Sequence, residues 1–255
     1  MKASEIAQRR KDITALLYKE NNLKVATLVS LFDVSDETIR KDLAYLASEG
    51  ILEKKHGRAL LIKEKPLEPV FHRRPKNLAK KETIVTKALE LLQSEDLIIG
   101  LDQGSTVALL ASKIAQLSSR QIFTGSLAAI LELAIAHHLL YSFGGQYNAE
   151  DMTFRNDTGK EMYPDIQFDV CFFGSSGVKN RNGFCTSSLA DAEAKRLMLK
   201  KSSKKIVLID DSKFQTTSLV QVASWSEVDV VISNQGLSPE IANNIRHQTR
   251  LILVP

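Results

Sequence analysis

Residues 97–106 read Leu97-Ile98-Ile99-Gly100-Leu101-Asp102-Gln103-Gly104-Ser105-Thr106. The first five form a short, wholly apolar run, the pattern of a strand buried on both faces. A glycine and small polar residues follow, and then a helix through Leu117. The same unit recurs on either side. Gln121–Thr124 reads as a strand and a helix runs on to His137; Leu139–Phe143 ends in Gly144-Gly145, and Phe168–Phe173 ends in Gly174-Ser175-Ser176-Gly177. A helix over 189–201 precedes Lys205–Ile209, which ends in Asp210-Asp211-Ser212-Lys213. Val228–Ile232, a helix over 238–246 and Leu251–Val254 follow, and a helix over 79–93 leads in. Strands alternating with helices predict a mostly parallel α/β sheet.

Open sheets of this kind bind ligands at the carboxyl ends of their strands. Gly104 permits close backbone approach there, and Ser105 and Thr106 offer hydroxyls and N–H groups to a phosphate at a helix N-terminus. Thr124, Gly125 and Ser126 repeat the device, and Gly144, Gly145 and Gly174 add unencumbered backbone. Lys213 is a candidate point-charge partner for the phosphate, and Asp102 a candidate acceptor for a sugar hydroxyl. Glu193 either binds a hydroxyl too or pairs with Lys195 or Arg196. Any one of these loops taken singly reads more readily as an ordinary strand-to-helix turn; several on one sheet edge reverse that preference.

Ahead of this region the pattern is helical. Ile6, Ile13, Leu16 and Leu17 stripe a helix near 4–19, Asn21-Asn22 breaks it, and Val25 to Phe32 forms a second. Asp33-Val34-Ser35-Asp36 is a turn with Ser35 as N-cap, and a third helix with Ile39, Leu43 and Leu46 inward ends at Gly50. Ile51–Glu53 and Ala59–Ile62 flank Lys54-Lys55-His56-Gly57-Arg58, a hairpin with a basic tip. This is helix-turn-helix spacing with a wing. Ser35, Glu37 and Thr38 are expected to face a DNA groove, and Arg40 and Lys41 to reach bases or phosphates. Lys54, Lys55, His56 and Arg58 would lie along the backbone or in the minor groove. The alternative is a three-helix packing module with a solvated charged face.

Charge divides the same way. Residues 1–81 hold 18 Lys/Arg against 11 Asp/Glu, and residues 82–255 hold 16 against 19. A basic unit joined to a slightly acidic one suits a polyanion-binding module with a separate partner, and the modest excess equally suits an ordinary lysine-bearing surface. The expected organisation is a winged helix-turn-helix domain over 1–62, a linker over 63–77 with Pro66, Pro69 and Pro75, and an α/β domain over 78–255. Val70 and Phe71 are expected to dock onto a neighbouring domain.

No run approaches the about 18 apolar residues of a membrane helix, and no secretory signal is expected. Cys171 and Cys185 form no CxxC pair, which suits a cytoplasmic setting. No P-loop, G-x-G-x-x-G or H-E-x-x-H motif occurs, so neither cofactor nor metal is expected.

Val34-Ser35-Asp36-Glu37-Thr38-Ile39-Arg40-Lys41-Asp42-Leu43, then Glu49-Gly50-Ile51-Leu52 and His56-Gly57, resembles the DNA-binding signature of the DeoR family of bacterial repressors. Leu101–Thr106, Gly144-Gly145, Phe173-Gly174, Gly183, the Glu193–Lys195–Met198 stretch and Asp211-Ser212-Lys213-Phe214 resemble its second half, in order. The resemblance implies a winged helix-turn-helix joined to a sensor similar in fold to ribose-5-phosphate isomerase, with a phosphorylated sugar as effector. Two positions depart from the family pattern. Arg58 stands for a second wing glycine, and Gly125 for the Asn of a Thr-Asn-Ser loop.

Two functions follow. The first is a repressor of a carbohydrate catabolic operon, a homo-oligomer on double-stranded operator DNA. The second is a sugar-phosphate isomerase with an accessory nucleic-acid module, in which Glu193 or Asp102 serves as base; the residues form no convincing catalytic constellation for it.

Overall fold

The computed structural model describes residues 3–48, 51–61, 69–92, 94–149, 151–155 and 166–255. The chain divides into two compact units, 1–65 and 66–255.

The first unit runs α1 (Ala3–Glu20), β1 (Asn22–Lys24), α2 (Val25–Phe32), α3 (Asp36–Ser48), β2 (Leu52–Lys55) and β3 (Arg58–Leu61). Ile13, Leu17, Leu28, Ile39 and Leu43 build its core, where the helical stripes converge. Asp42, on the buried side of α3, accepts from Arg9 at 2.6 Å and Arg10 at 2.8 Å. Asp33 closes α2 in the left-handed region, and Ser35 caps α3 by accepting from the Thr38 N–H at 3.2 Å. The wing turns on His56 and Gly57, both at positive φ, as a two-residue hairpin loop requires. One expectation is corrected. Asn22 is not merely a breaker but opens β1, which pairs antiparallel with β3 and makes the wing three-stranded.

The second unit continues α4 (Val70–Arg73), α5 (Leu78–Leu89), β4 (Ile98–Leu101), α6 (Ser105–Ile114), β5 (Gln121–Thr124), α7 (Leu127–Leu133) and β6 (Leu139–Ser142). Then come β7 (Gln146–Asn148), β8 (Thr153–Arg155), β9 (Phe168–Gly174), β10 (Gly183–Thr186), α8 (Leu189–Lys200), β11 (Ser202–Leu208), β12 (Val220–Ser224), β13 (Val230–Asn234), α9 (Pro239–Arg246) and β14 (Arg250–Val254). Seven strands form one parallel sheet in the order β14-β13-β11-β9-β4-β5-β6. Apolar clusters cover both faces, one around Phe168, Phe173 and Trp225, the other around Leu110, Ile114 and Phe172. At Gly100 a β-carbon would lie 2.1 Å from the Cys171 sulfur, so the strand needs glycine where it crosses β9. The chain steps outward from β4 to β6, then returns to β9 and steps the other way. The order therefore reverses between β4 and β9, where doubly wound sheets open a crevice.

Two antiparallel pairs, β7–β8 and β10–β12, were not foreseen. The expected linker also changes. Residues 70–73 are helical, and Val70 is buried against Ala108, Ala128 and Met152 of the second unit, while Phe71 stays exposed. Gly50, the Ile62 end of the wing and residues 63–68 of the linker lie outside the described residues.

Candidate functional site

At the reversal, the loops after β4 and β9 frame a cleft of about 520 Å³. Gly104 is the N-cap of α6, with φ +116 and no capping side chain, so among the described residues no side chain caps the first amides of the helix. Ser105, Thr106, Gly174 and Lys213 line the same cleft, as does Arg73 from α4. Helix-terminal amides, two hydroxyls and two cations suit an anion. Behind them, the buried Lys81 ammonium donates to the Arg73 carbonyl oxygen. Burial pulls its pKa down to about 8; Asp210 opposes this, and Lys213 and Arg73 push the same way.

The inner wall is ionic. Lys195 donates to Asp102 Oδ2, which also accepts from the Gly174 N–H at 2.9 Å. Asp191 lies 3.6 Å from Lys195 and accepts from the Thr186 hydroxyl. Burial pushes the Asp102 carboxyl up to about 6 against the pull of Lys195. Burial also works against the Lys195 ammonium, yet Asp102 and Asp191 hold its pKa above the ordinary value. A second recess of about 370 Å³ shares Gln103 and Asp191 with the cleft and is lined by Gly125, Ser126, Phe154 and Met198.

The expected effector residues thus separate. Gly104, Ser105, Thr106, Gly174 and Lys213 come together; Gly125 and Ser126 line the adjoining recess. Asp102 borders that recess, but its Oδ2 is already engaged by Lys195 and Gly174, so its first role is internal. Thr124 is fully buried, its hydroxyl accepting from the Ser126 N–H, and Ser126 caps α7: they build the turn. Gly144 and Gly145 are exposed where the chain enters the β7–β8 hairpin, and they line neither cavity. Glu193 points outward from α8, pairing with neither Lys195 nor Arg196; Arg196 instead donates to the carbonyls of Gln221 and Val222. Asp211 pairs with Lys80, at 2.7 Å, rather than with Lys213. Asp191 and Lys195 were missed as site residues, although their i,i+4 spacing was a readable signal. Arg73 was read as linker. Among the described residues no group of three or more His, Cys, Asp or Glu is placed to hold a metal, and no helix is long and apolar enough to cross a membrane.

In the first unit, Arg40 shares a groove of about 470 Å³ with Lys54, Lys55, His56 and Arg58. Arg40 pairs with Asp36, and Lys41 with Glu37 at 2.8 Å, all on the exposed face of α3. The Lys41 ammonium holds Glu37 below its ordinary value, and Asp36 raises Arg40. Ser35 and Thr38 are bonded to each other at 2.9 Å within the cap. Arg10 of α1 stacks over the Tyr45 ring, 3.9 Å from its centroid.

Residues 9–65 match the family model described as the DeoR-like helix-turn-helix domain, and residues 76–235 match the DeoR C terminal sensor domain. The chain belongs to the DeoR family. It is 32% identical to the L-fucose operon activator of Haemophilus influenzae, over 86% of this chain and 88% of that one. It is 28% identical to the transcriptional regulator GolR of Listeria innocua over 91% of each. The lactose phosphotransferase system repressor of Staphylococcus aureus is 29% identical, over 88% of this chain and 90% of the other. Ribose 5-phosphate isomerase A of Methanocaldococcus jannaschii aligns at TM-score 0.38 and 18% identity, over 54% of this chain and 55% of that one. This DeoR-family chain is a DNA-binding transcriptional regulator, as its relatives are named regulators and repressors.

Proposed function

We propose that the chain represses a carbohydrate operon and leaves its operator when a phosphorylated sugar binds the cleft at the β4–β9 reversal. The observation that carries this reading is the convergence of the uncapped α6 N-terminus with Arg73 and Lys213. Phosphate fits the amides and cations, and the polar rim toward Asp191 and Thr186 fits sugar hydroxyls. Two relatives are named for sugar operons, one as activator and one as repressor. Repression is favoured because the basic groove beside Arg40 offers operator binding that needs no ligand. Operator must then weaken effector binding by the factor with which effector weakens operator binding. The regulator acts as a homo-oligomer, presenting two wings to half-sites near ~10 bp apart or a multiple.

The test is a thermal-shift screen of phosphorylated sugars against their parent sugars, followed by operator binding with the best ligand. A ligand at ~100 times its dissociation constant stabilises the fold by about 2.7 kcal/mol. Lys213→Ala should fold, bind operator and ignore the ligand. A folded Lys213→Ala variant that still releases operator at the wild-type ligand concentration would sink the proposal, as would a screen in which no phosphorylated sugar stabilises the protein.

A further inference from the structure

One edge of the seven-stranded sheet is β6, which pairs with no further strand among the described residues. Leu139 and Tyr141 are exposed on one face, Tyr141 backed by Phe123 in a stack 4.4 Å between centroids. On the other face α7 exposes Leu131, and Ile135 just beyond it is 86% exposed. Tyr147 of β7, the next strand along the chain, is exposed as well. The opposite edge, β14, starts at the exposed Arg250 and carries no exposed large apolar side chain among the described residues. Sheet edges are normally blunted by charge, proline or bulges, because unpaired backbone groups recruit another strand. Here the reverse holds. Residues 121–149 contain no Lys, Arg or Pro and a single carboxylate, Glu132, in a chain that is 25% charged. Glu132 is itself tied to Arg74.

We infer that β6 with the apolar surface beside it is the face on which a second copy of this chain docks, joining the two sheets edge to edge. The inference rests on the oligomer of the preceding reading and names its surface. A two-fold axis at this edge sets β6 antiparallel to its own copy, so one strand supplies donors and acceptors to both sides. The Leu139 and Phe143 amides bond back to Arg120 and Thr124 of the β5 side. Strand alternation therefore turns the Leu140 and Ser142 amides outward. A surface whose one carboxylate, Glu132, is already paired with Arg74 meets its own copy without net repulsion and offers a charged partner little to pair with. A regulator with one recognition helix per chain also needs two copies to span a two-fold operator.

Sedimentation of the full-length chain tests this, beside Ile135→Lys/Leu139→Lys and a control, Leu197→Lys on α8. The wild type and the control should sediment as a dimer or a larger even assembly, and the double variant at half that mass. The double variant should keep the thermal shift with effector. Amide exchange on the wild type should find Leu140 and Ser142 protected, which holds the test even where the variant does not fold. A wild-type monomer would overturn both the oligomer and its surface. An oligomer whose mass the double variant keeps, or whose Leu140 and Ser142 amides exchange freely, would overturn the surface alone.

Discussion

Lys195 and Asp102 form an ion pair inside the second unit, with side chains only 4% and 5% exposed. The pair joins α8 to the loop after β4, and its carboxylate also holds the Gly174 N–H at the end of β9. One contact therefore ties together the three elements around the cleft. A buried pair of this kind contributes little relative to apolar packing, but breaking it is costly because the remaining charge cannot be hydrated.

Lys195→Met should accordingly cost about 3–5 kcal/mol, since Asp102 and Asp191 lose their cation together. Lys195→Met/Asp102→Asn should lose clearly less, because charge leaves with charge. Urea unfolding of the two variants checks this; a single variant as stable as wild type would contradict it.

Lys81 should make stability depend on alkaline pH. Its pKa falls from 10.5 in the unfolded chain to about 8 in the fold. Between these values the unfolded chain holds the proton and the native one does not, so stability rises with pH through that window and is lost as pH falls through 8. Melting curves from pH 7 to 9.5 should show this rise in wild type but not in Lys81→Met. Phosphate affinity should move oppositely, weakening above pH 8 as the ammonium behind Arg73 discharges. Parallel curves for the two proteins would refute the assignment.

On α3, cation and carboxylate alternate as Asp36–Arg40 and Glu37–Lys41 pairs. DNA phosphates must compete with these carboxylates for the cations. Glu37→Gln should therefore tighten DNA binding for all sequences, and Lys41→Ala should weaken it and flatten its salt dependence. Arg40→Ala should weaken operator binding roughly 10-fold or more, with relaxed preference at one position if it reads a base. Fluorescence anisotropy against operator and scrambled duplexes separates the three outcomes. Unchanged affinity in both alanine variants would remove α3 as the recognition helix.

Gly183→Ala should disrupt the β10–β12 pair. A β-carbon there would sit 1.9 Å from the Ala223 carbonyl oxygen, and backbone cannot step aside as a flexible side chain can. The expected loss is about 1–3 kcal/mol or more, read from thermal or urea unfolding. Wild-type stability would mean that the two strands part without cost.

The sequence by itself determined what rests on local chemistry. Apolar runs placed the principal sheet strands, and a periodic stripe placed α1, α2 and α3. Ser35 marked a cap, and Gly104 marked a backbone turn that a side chain would strain. Each of these is written within a few neighbouring residues. Tertiary structure alone decided what depends on partners far along the chain. β1 has three residues, too few for any periodicity, and is a strand only because β3 lies beside it. β10 and β12 likewise exist through each other. On α8, Glu193, Asp191 and Lys195 are all polar, and the sequence does not say which face is buried. Packing of that helix against the sheet turns Asp191 and Lys195 inward to Asp102 and leaves Glu193 in water. Asp211 took Lys80 rather than the nearby Lys213, because α5 lies across the end of β11. Local propensity is a property of short windows, whereas burial and charge pairing are properties of the assembled layers, and the cleft is made of the second kind.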